Sequence, residues 1–126
     1  MNVRLPEASE LWTDAVRRPT LLVGLVMDRE ALYARIDARV EAMIAAGAEE
    51  EVRRANAAGA SLTARKALGF EDLLTGDVEA MKRRTRNYAR RQLTWMRKLA
   101  EVRTIDTTSR APAEVAAEIL SAWTAP

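Results

Sequence analysis

Eight cations crowd one stretch of this chain. Lys82, Arg83, Arg84, Arg86, Arg90, Arg91, Arg97 and Lys98 fall within residues 77–100, against two acids, Asp77 and Glu79. The stretch is net +6, whereas the remainder, 12 basic against 16 acidic residues, is net −4. Guanidinium and ammonium groups at this density bind phosphate. A solvated helix face ordinarily mixes signs, and this one is nearly single-signed, which points to nucleic acid. At about 100° per residue, Val78, Met81, Thr85, Tyr88, Gln92, Trp95, Met96 and Leu99 fall on the opposite side and form a packing face. Thr85 and Gln92 sit on that face where a plain heptad would carry Leu or Ile. They are either satisfied core polar groups or the lining of a cleft.

Composition removes other chemistries. The 126 residues contain no cysteine and no histidine, which excludes disulfides, thiol catalysis, Ser-His chemistry and the usual zinc sites. The five glycines, at 24, 47, 59, 69 and 76, are scattered and form no phosphate loop or dinucleotide fingerprint. Glu49, Glu50 and Glu51 are consecutive, so they point in different directions around a helix and make no metal site. The start of the chain has no apolar signal region, and no run approaches the roughly 20 apolar residues that span a bilayer. A soluble, cytoplasmic protein without membrane contact is expected.

The elements that must position the cations follow from periodicity. The run 20–26 is apolar without alternation and reads as a strand about 21–26, buried on both faces. Asp28 offers an N-cap to a helix with Leu32, Ile36, Val40, Met43 and Ile44 on one side. Arg39 lies at the edge of that arc. Gly47 ends or breaks the helix, and a second piece runs to about Ala57. Ser61 or Thr63 caps a short helix, Gly69-Phe70 interrupts it, and Asp77 caps the basic helix, which reads to Ala100. A strand at 102–106 and a terminal helix at 113–123 complete the pattern, with a short helix expected near Ser9–Val16. Two strands about 75 residues apart do not make a stable sheet by themselves. Both are expected to belong to a larger parallel sheet, only partly encoded here.

Three stretches together resemble one family, the tRNA dimethylallyltransferases, also called tRNA isopentenyltransferases. Leu32-Tyr33-Ala34-Arg35-Ile36-Asp37-Ala38-Arg39-Val40-Glu41-Ala42-Met43, with Gly47 and Glu51-Val52 following, resembles L-x-x-R-I-x-x-R-V-x-x-M and its G-x-x-x-E-V continuation. Ala64 to Glu71 is similar to A-x-x-x-I-G-Y-[KR]-[EQ], with Phe70 in place of Tyr. Thr85-Arg86-Asn87-Tyr88-Ala89-Arg90-Arg91-Gln92-Leu93-Thr94-Trp95 is similar to T-R-x-Y-A-[KR]-R-Q-x-T-W. Order and spacing match over about 11–106.

The resemblance implies an α/β fold of P-loop-kinase type with a helical insertion. This chain would be one partial domain, mostly helical, with two strands of an incomplete parallel sheet and a tRNA-binding helical part over about 29–100. The implied reaction moves a dimethylallyl group from dimethylallyl diphosphate to the exocyclic amine of the adenosine next to the anticodon. Mg²⁺ assists the diphosphate, and the base is flipped out of its loop. By position, Arg39 resembles the arginine that faces the leaving diphosphate, where a planar cation can neutralise developing charge. Lys66, Ala67, Leu68, Gly69, Phe70 and Glu71, and then Arg84, Thr85, Arg86, Asn87, Tyr88, Ala89, Arg90 and Arg91, match tRNA-contacting segments. Gln92 is matched to the reaction channel. The family's phosphate loop and catalytic aspartate belong to an N-terminal half that nothing here matches. The expectation is a C-terminal half, inactive alone, that partners the anticodon stem-loop, the diphosphate donor and the missing half. The alternative is a stand-alone RNA-binding helical module.

Overall fold

The computed structural model describes residues 19–124; the short helix expected near Ser9–Val16 lies outside them. The described elements are β1 (Leu22–Val26), α1 (Arg29–Ala45), α2 (Ala48–Ala57), α3 (Leu62–Arg65), α4 (Phe70–Thr75), α5 (Val78–Met96), β2 (Val102–Asp106) and α6 (Pro112–Thr124). They fall into two compact units. One is helical and spans 28–91; the other comprises the described residues 19–27 and 92–124.

Local chemistry sets the helix starts of the first unit. The Asp28 carboxylate accepts from Ala31 N–H at 3.1 Å, Ser61 Oγ from Ala64 N–H at 3.1 Å, and the Asp77 carboxylate from Ala80 N–H at 3.0 Å. Each satisfies a donor that the first helical turn leaves without an internal partner. Val40 of α1, Leu73 of α4 and Met81 of α5 form the buried centre, with Met43, Ile44, Ala48, Val52 and Val78 packed around them. Fully burying a side chain of this size contributes about 1.5–3 kcal/mol, so a three-residue centre makes a thin core. Gly69 is buried against it with φ +90°, and a Cβ there would meet Met81 Cε at 2.8 Å.

In the second unit β1 and β2 pair in parallel, Leu22 with Val102 through Val26 with Asp106. Thr107 extends the pairing: its N–H and its hydroxyl both donate to the Val26 carbonyl, at 2.8 and 3.0 Å. Gly24 is buried because Met96 lies over it; a Cβ there would run into the Met96 thioether and come within 2.9 Å of Val102 Cγ1. Met96, Leu93, Val26, Val102 and Thr104 border an open, mostly apolar hollow of about 400 Å³.

Two expectations about this unit need correction. The apolar run was read as buried on both faces, yet Leu22 and Leu25 are 42% and 53% exposed. Leu22 and Leu25 alternate to opposite faces of the strand, and both stay exposed among the described residues, although Gly24 on one face and Ile105, in register with Leu25, on the other are buried. The basic helix was read to Ala100, but α5 ends at Met96. Lys98 N–H donates to Trp95 O at 3.0 Å and Leu99 N–H to Met96 O at 3.1 Å. These tighter turns redirect the chain into β2.

Candidate nucleic-acid interface

The cations of α5 are not equivalent, because α1 and α4 supply carboxylates to some of them. Lys82 is only 9% exposed. Its ammonium pairs with Glu41 of α1 and, at 3.2 Å, with Glu79 one turn earlier. The hydrogen bond to Glu41, reinforced by Glu79 against the opposing effect of burial, raises the Lys82 pKa above its ordinary 10.5. The wheel had assigned Lys82 to the outer cationic face; it is an inward, structural cation. Arg84 is 61% exposed at its side chain, and its Nε lies 3.6 Å from Oδ1 of Asp72, whose side chain is 7% exposed. The other oxygen of Asp72, Oδ2, is buried with no hydrogen-bond partner among the described residues.

Arg86 donates from Nη1 to Asp37 Oδ1 of α1 at 2.6 Å, and its guanidinium carbon lies 5.9 Å from the centre of the Tyr33 ring. The pairs Asp37–Arg86 and Glu41–Lys82 run in opposite sequence directions, so one rim of α1 is zipped to α5 by charge. Arg90 donates to Asn87 Oδ1 at 2.9 Å. Arg91 lies 5.9 Å from the centre of the Tyr88 ring, and that ring is half exposed. Arg83 is exposed and has no ion pair among the described residues.

The two polar residues of the packing face separate. Thr85 is half-buried, and its hydroxyl donates to the Met81 carbonyl at 2.8 Å, the usual back-bond of a threonine inside a helix. Thr85 is therefore a satisfied polar group. Gln92 is exposed and belongs to the second unit.

The segment 66–71 is held by a residue that the sequence did not single out, Arg65. Its Nη2 donates to Asn56 Oδ1, its Nε to the Ala60 carbonyl at 3.3 Å, and its Nη1 lies 3.8 Å from Glu71 Oε1. Its guanidinium carbon also lies 5.7 Å from the centre of the Phe70 ring. No spacing rule links positions 56, 60, 65 and 71, so only the fold could find this hub. It leaves Lys66, Ala67 and Leu68 on the surface while Gly69 and Phe70 are buried. The close approach that Gly69 permits is to Met81 of its own chain.

Arg39 is exposed on α1 with no ion pair among the described residues. It lies two residues beyond Asp37, about 200° around the helix, so it does not join the rim that faces α5. Among the described residues no three acidic side chains converge on a point that could hold a metal. The described residues therefore do not present the convergent oxygen donors that Mg²⁺ takes. The unit offers anion-binding donors and half-exposed rings, suited to binding rather than to proton transfer.

A helical unit bearing a cationic face, on a chain that also carries a parallel strand pair, defines the class: an α/β protein with a helical, cationic part. The IPP transferase family model matches residues 4–99, and the chain belongs to that family. It is 37% identical over 115 residues to a tRNA dimethylallyltransferase of Pelotomaculum thermopropionicum, a match covering 82% of this chain and 37% of that protein. A tRNA dimethylallyltransferase of Kineococcus radiotolerans is 44% identical over 104 residues, covering 74% of this chain and 33% of its own length. The full-length tRNA isopentenylpyrophosphate transferase of Bacillus halodurans superposes with a TM-score of 0.75 at 30% identity, over 82% of this chain and 37% of that one. The chain thus spans little more than a third of the length of these relatives.

Proposed function

We propose that this chain serves tRNA modification: it supplies the anticodon-binding helices and a diphosphate-facing arginine to a dimethylallyl transfer. The observation that carries this reading is the cationic face of α5, with Thr85 to Gln92 in the order of the family motif, inside a region matched as IPP transferase. The group moved is the dimethylallyl of dimethylallyl diphosphate, and the acceptor is the exocyclic amine of the adenosine beside the anticodon. Arg83, Arg84, Arg86, Arg90 and Arg91 take backbone phosphates. The half-exposed Tyr88 ring beside Arg91 suits stacking against an unpaired base. Lys66 to Leu68 form a second contact next to the Arg65 hub. Arg39, with its donors uncommitted, faces the diphosphate and neutralises charge as the allylic C–O bond breaks.

The 126 residues contain no G-x-x-x-x-G-K-[ST] loop and no residue matched to the catalytic aspartate. Turnover therefore requires the portion of the relatives that this chain does not span, working with Mg²⁺ in the cytoplasm, and the chain alone is inactive. One observation favours a second reading, a stand-alone RNA-binding module: the helical unit has its own buried centre and its own ion-pair zipper.

The test is a titration of a labelled anticodon stem-loop with the chain over a range of salt concentrations. With about 4–6 phosphates engaged, log K should fall against log salt with a slope of roughly −3 to −5. Arg86→Ala combined with Arg90→Ala should flatten it. Affinity at background, or coincident parent and variant slopes, would remove the basic helix from the function.

A further inference from the structure

Arg86 is held unlike Lys82 and Arg84. Lys82 is sunk into the unit, and Arg84 reaches its carboxylate only at 3.6 Å. Arg86 is 28% exposed at its side chain, with one terminal nitrogen fixed at 2.6 Å on Asp37 and a ring, Tyr33, near its guanidinium. Tyr33 and Asp37 are one turn apart on α1, so a single helix rim supplies both restraints. A guanidinium carries five donors in a fixed fork. Among the described residues Asp37 engages Nη1, and no partner meets Nη2 or Nε. One corner of the fork is clamped and an edge remains for a ligand.

A carboxylate next to a phosphate-binding arginine has two possible consequences, of opposite sign. As a bare charge it repels the RNA and weakens binding. As a clamp it removes the entropy that an exposed arginine would otherwise lose on binding, and strengthens it. Asp37 meets the guanidinium at the short end of charge-assisted hydrogen bonding, and Tyr33 limits the rotation that would remain about that one bond. We infer that Asp37 is a positioning residue: with Tyr33 it holds Arg86 with its free edge set to receive an RNA backbone phosphate. This rests on the proposed RNA-binding role and adds a residue outside the set that the family resemblance assigns to contact.

The test uses the full 126-residue chain and a fluorescently labelled anticodon stem-loop RNA, with Asp37→Asn, Arg86→Ala and their combination measured over several salt concentrations. Asp37→Asn removes one negative charge and little else. Asp37 is 38% exposed at its side chain, so its share of the α1–α5 ion-pair rim is worth little stability, and circular dichroism verifies that the fold is retained. The clamp predicts that Asp37→Asn weakens binding about three- to tenfold despite the added positive charge. It predicts no such loss when Arg86 is already Ala, and a partial recovery in Asp37→Glu. Arg86→Ala should reduce the salt slope by about 0.7–0.9. Asp37→Asn binding RNA as tightly as the parent or more tightly overturns the inference and leaves the RNA-binding reading standing. Equal losses from Asp37→Asn with and without Arg86 overturn it too. No binding by the parent chain removes both.

Discussion

Replacing Gly69 with alanine separates two costs that the fold superimposes at one residue. Gly69 has φ +90°, and a Cβ there would lie 2.8 Å from Met81 Cε, 3.1 Å from Sδ and 3.3 Å from Cγ. The left-handed backbone costs an alanine about 1–2 kcal/mol. Met81 is 4% exposed in the centre with Val40 and Leu73, so its thioether cannot move aside freely. Overpacking of that kind costs about 1–3 kcal/mol. Gly69→Ala should therefore destabilise by about 2–5 kcal/mol. Gly76 is the internal control: its φ is +73° but nothing lies within 4 Å of a Cβ. Gly76→Ala should cost only the backbone share, about 1–2 kcal/mol. In a Met81→Ala background the three clashing atoms are gone, and Gly69→Ala should fall to the Gly76→Ala value. Urea unfolding followed by helical circular dichroism reads all four variants, and an unchanged m-value validates the comparison. Equal costs at positions 69 and 76, or a difference that survives removal of Met81, would refute the steric account of why a glycine stands there.

Further predictions concern charge and assembly. Arg84→Ala strips Asp72 of its counter-charge; because Arg84 is largely exposed, the expected loss is about 1–3 kcal/mol, and Asp72→Asn in the same chain should recover most of it in the same titration. Lys82 has a folded pKa above 10.5, so its pairing contributes fully below that value and is lost as pH rises through the folded pKa. Melting temperatures of parent and Lys82→Met should accordingly converge only in the alkaline limb, and a difference that vanishes near neutrality would contradict the pairing. The exposed Leu22 and Leu25 of β1, beside a strand edge unpaired among the described residues, should make the chain self-associate; Leu25→Lys should shift sedimentation toward the monomer. Dimethylallyl transfer by the chain alone should stay at background; measurable turnover would place a complete catalytic apparatus within it.

Most of the element order was legible because it rests on local rules. Asp28 and Asp77 cap the helices the sequence assigned to them, Ser61 rather than Thr63 caps the short one, and the 3.6-residue repeat of Leu32, Ile36, Val40, Met43 and Ile44 brings Val40 into the centre. Parallel pairing followed from the unalternated apolar run at 22–26, whereas β2, with Arg103, Thr104 and Asp106, carries no such run. The fate of individual cations was not legible. A helical wheel gives direction but not partners, so it could not tell that Glu41 reaches Lys82, or that Asp37 and Asp72 meet Arg86 and Arg84. Those pairs join positions 12 to 49 residues apart and exist only once α1, α4 and α5 are packed. Arg65 was missed for the same reason. The exposure of Leu22 and Leu25 was not legible because an apolar run records what a strand is built to touch, not what touches it here.

The measurement that bears most directly on the central claim is photochemical crosslinking of the full chain to a tRNA anticodon stem-loop, with the attached peptides identified by mass spectrometry. Crosslinks confined to the peptides carrying Lys66–Glu71 and Arg83–Arg91, and lost on raising the salt, are the predicted result. Crosslinks concentrated on α6 or β2, or none above an unrelated RNA hairpin, would contradict the assignment of the helical unit as the RNA-binding part of this transferase-family chain.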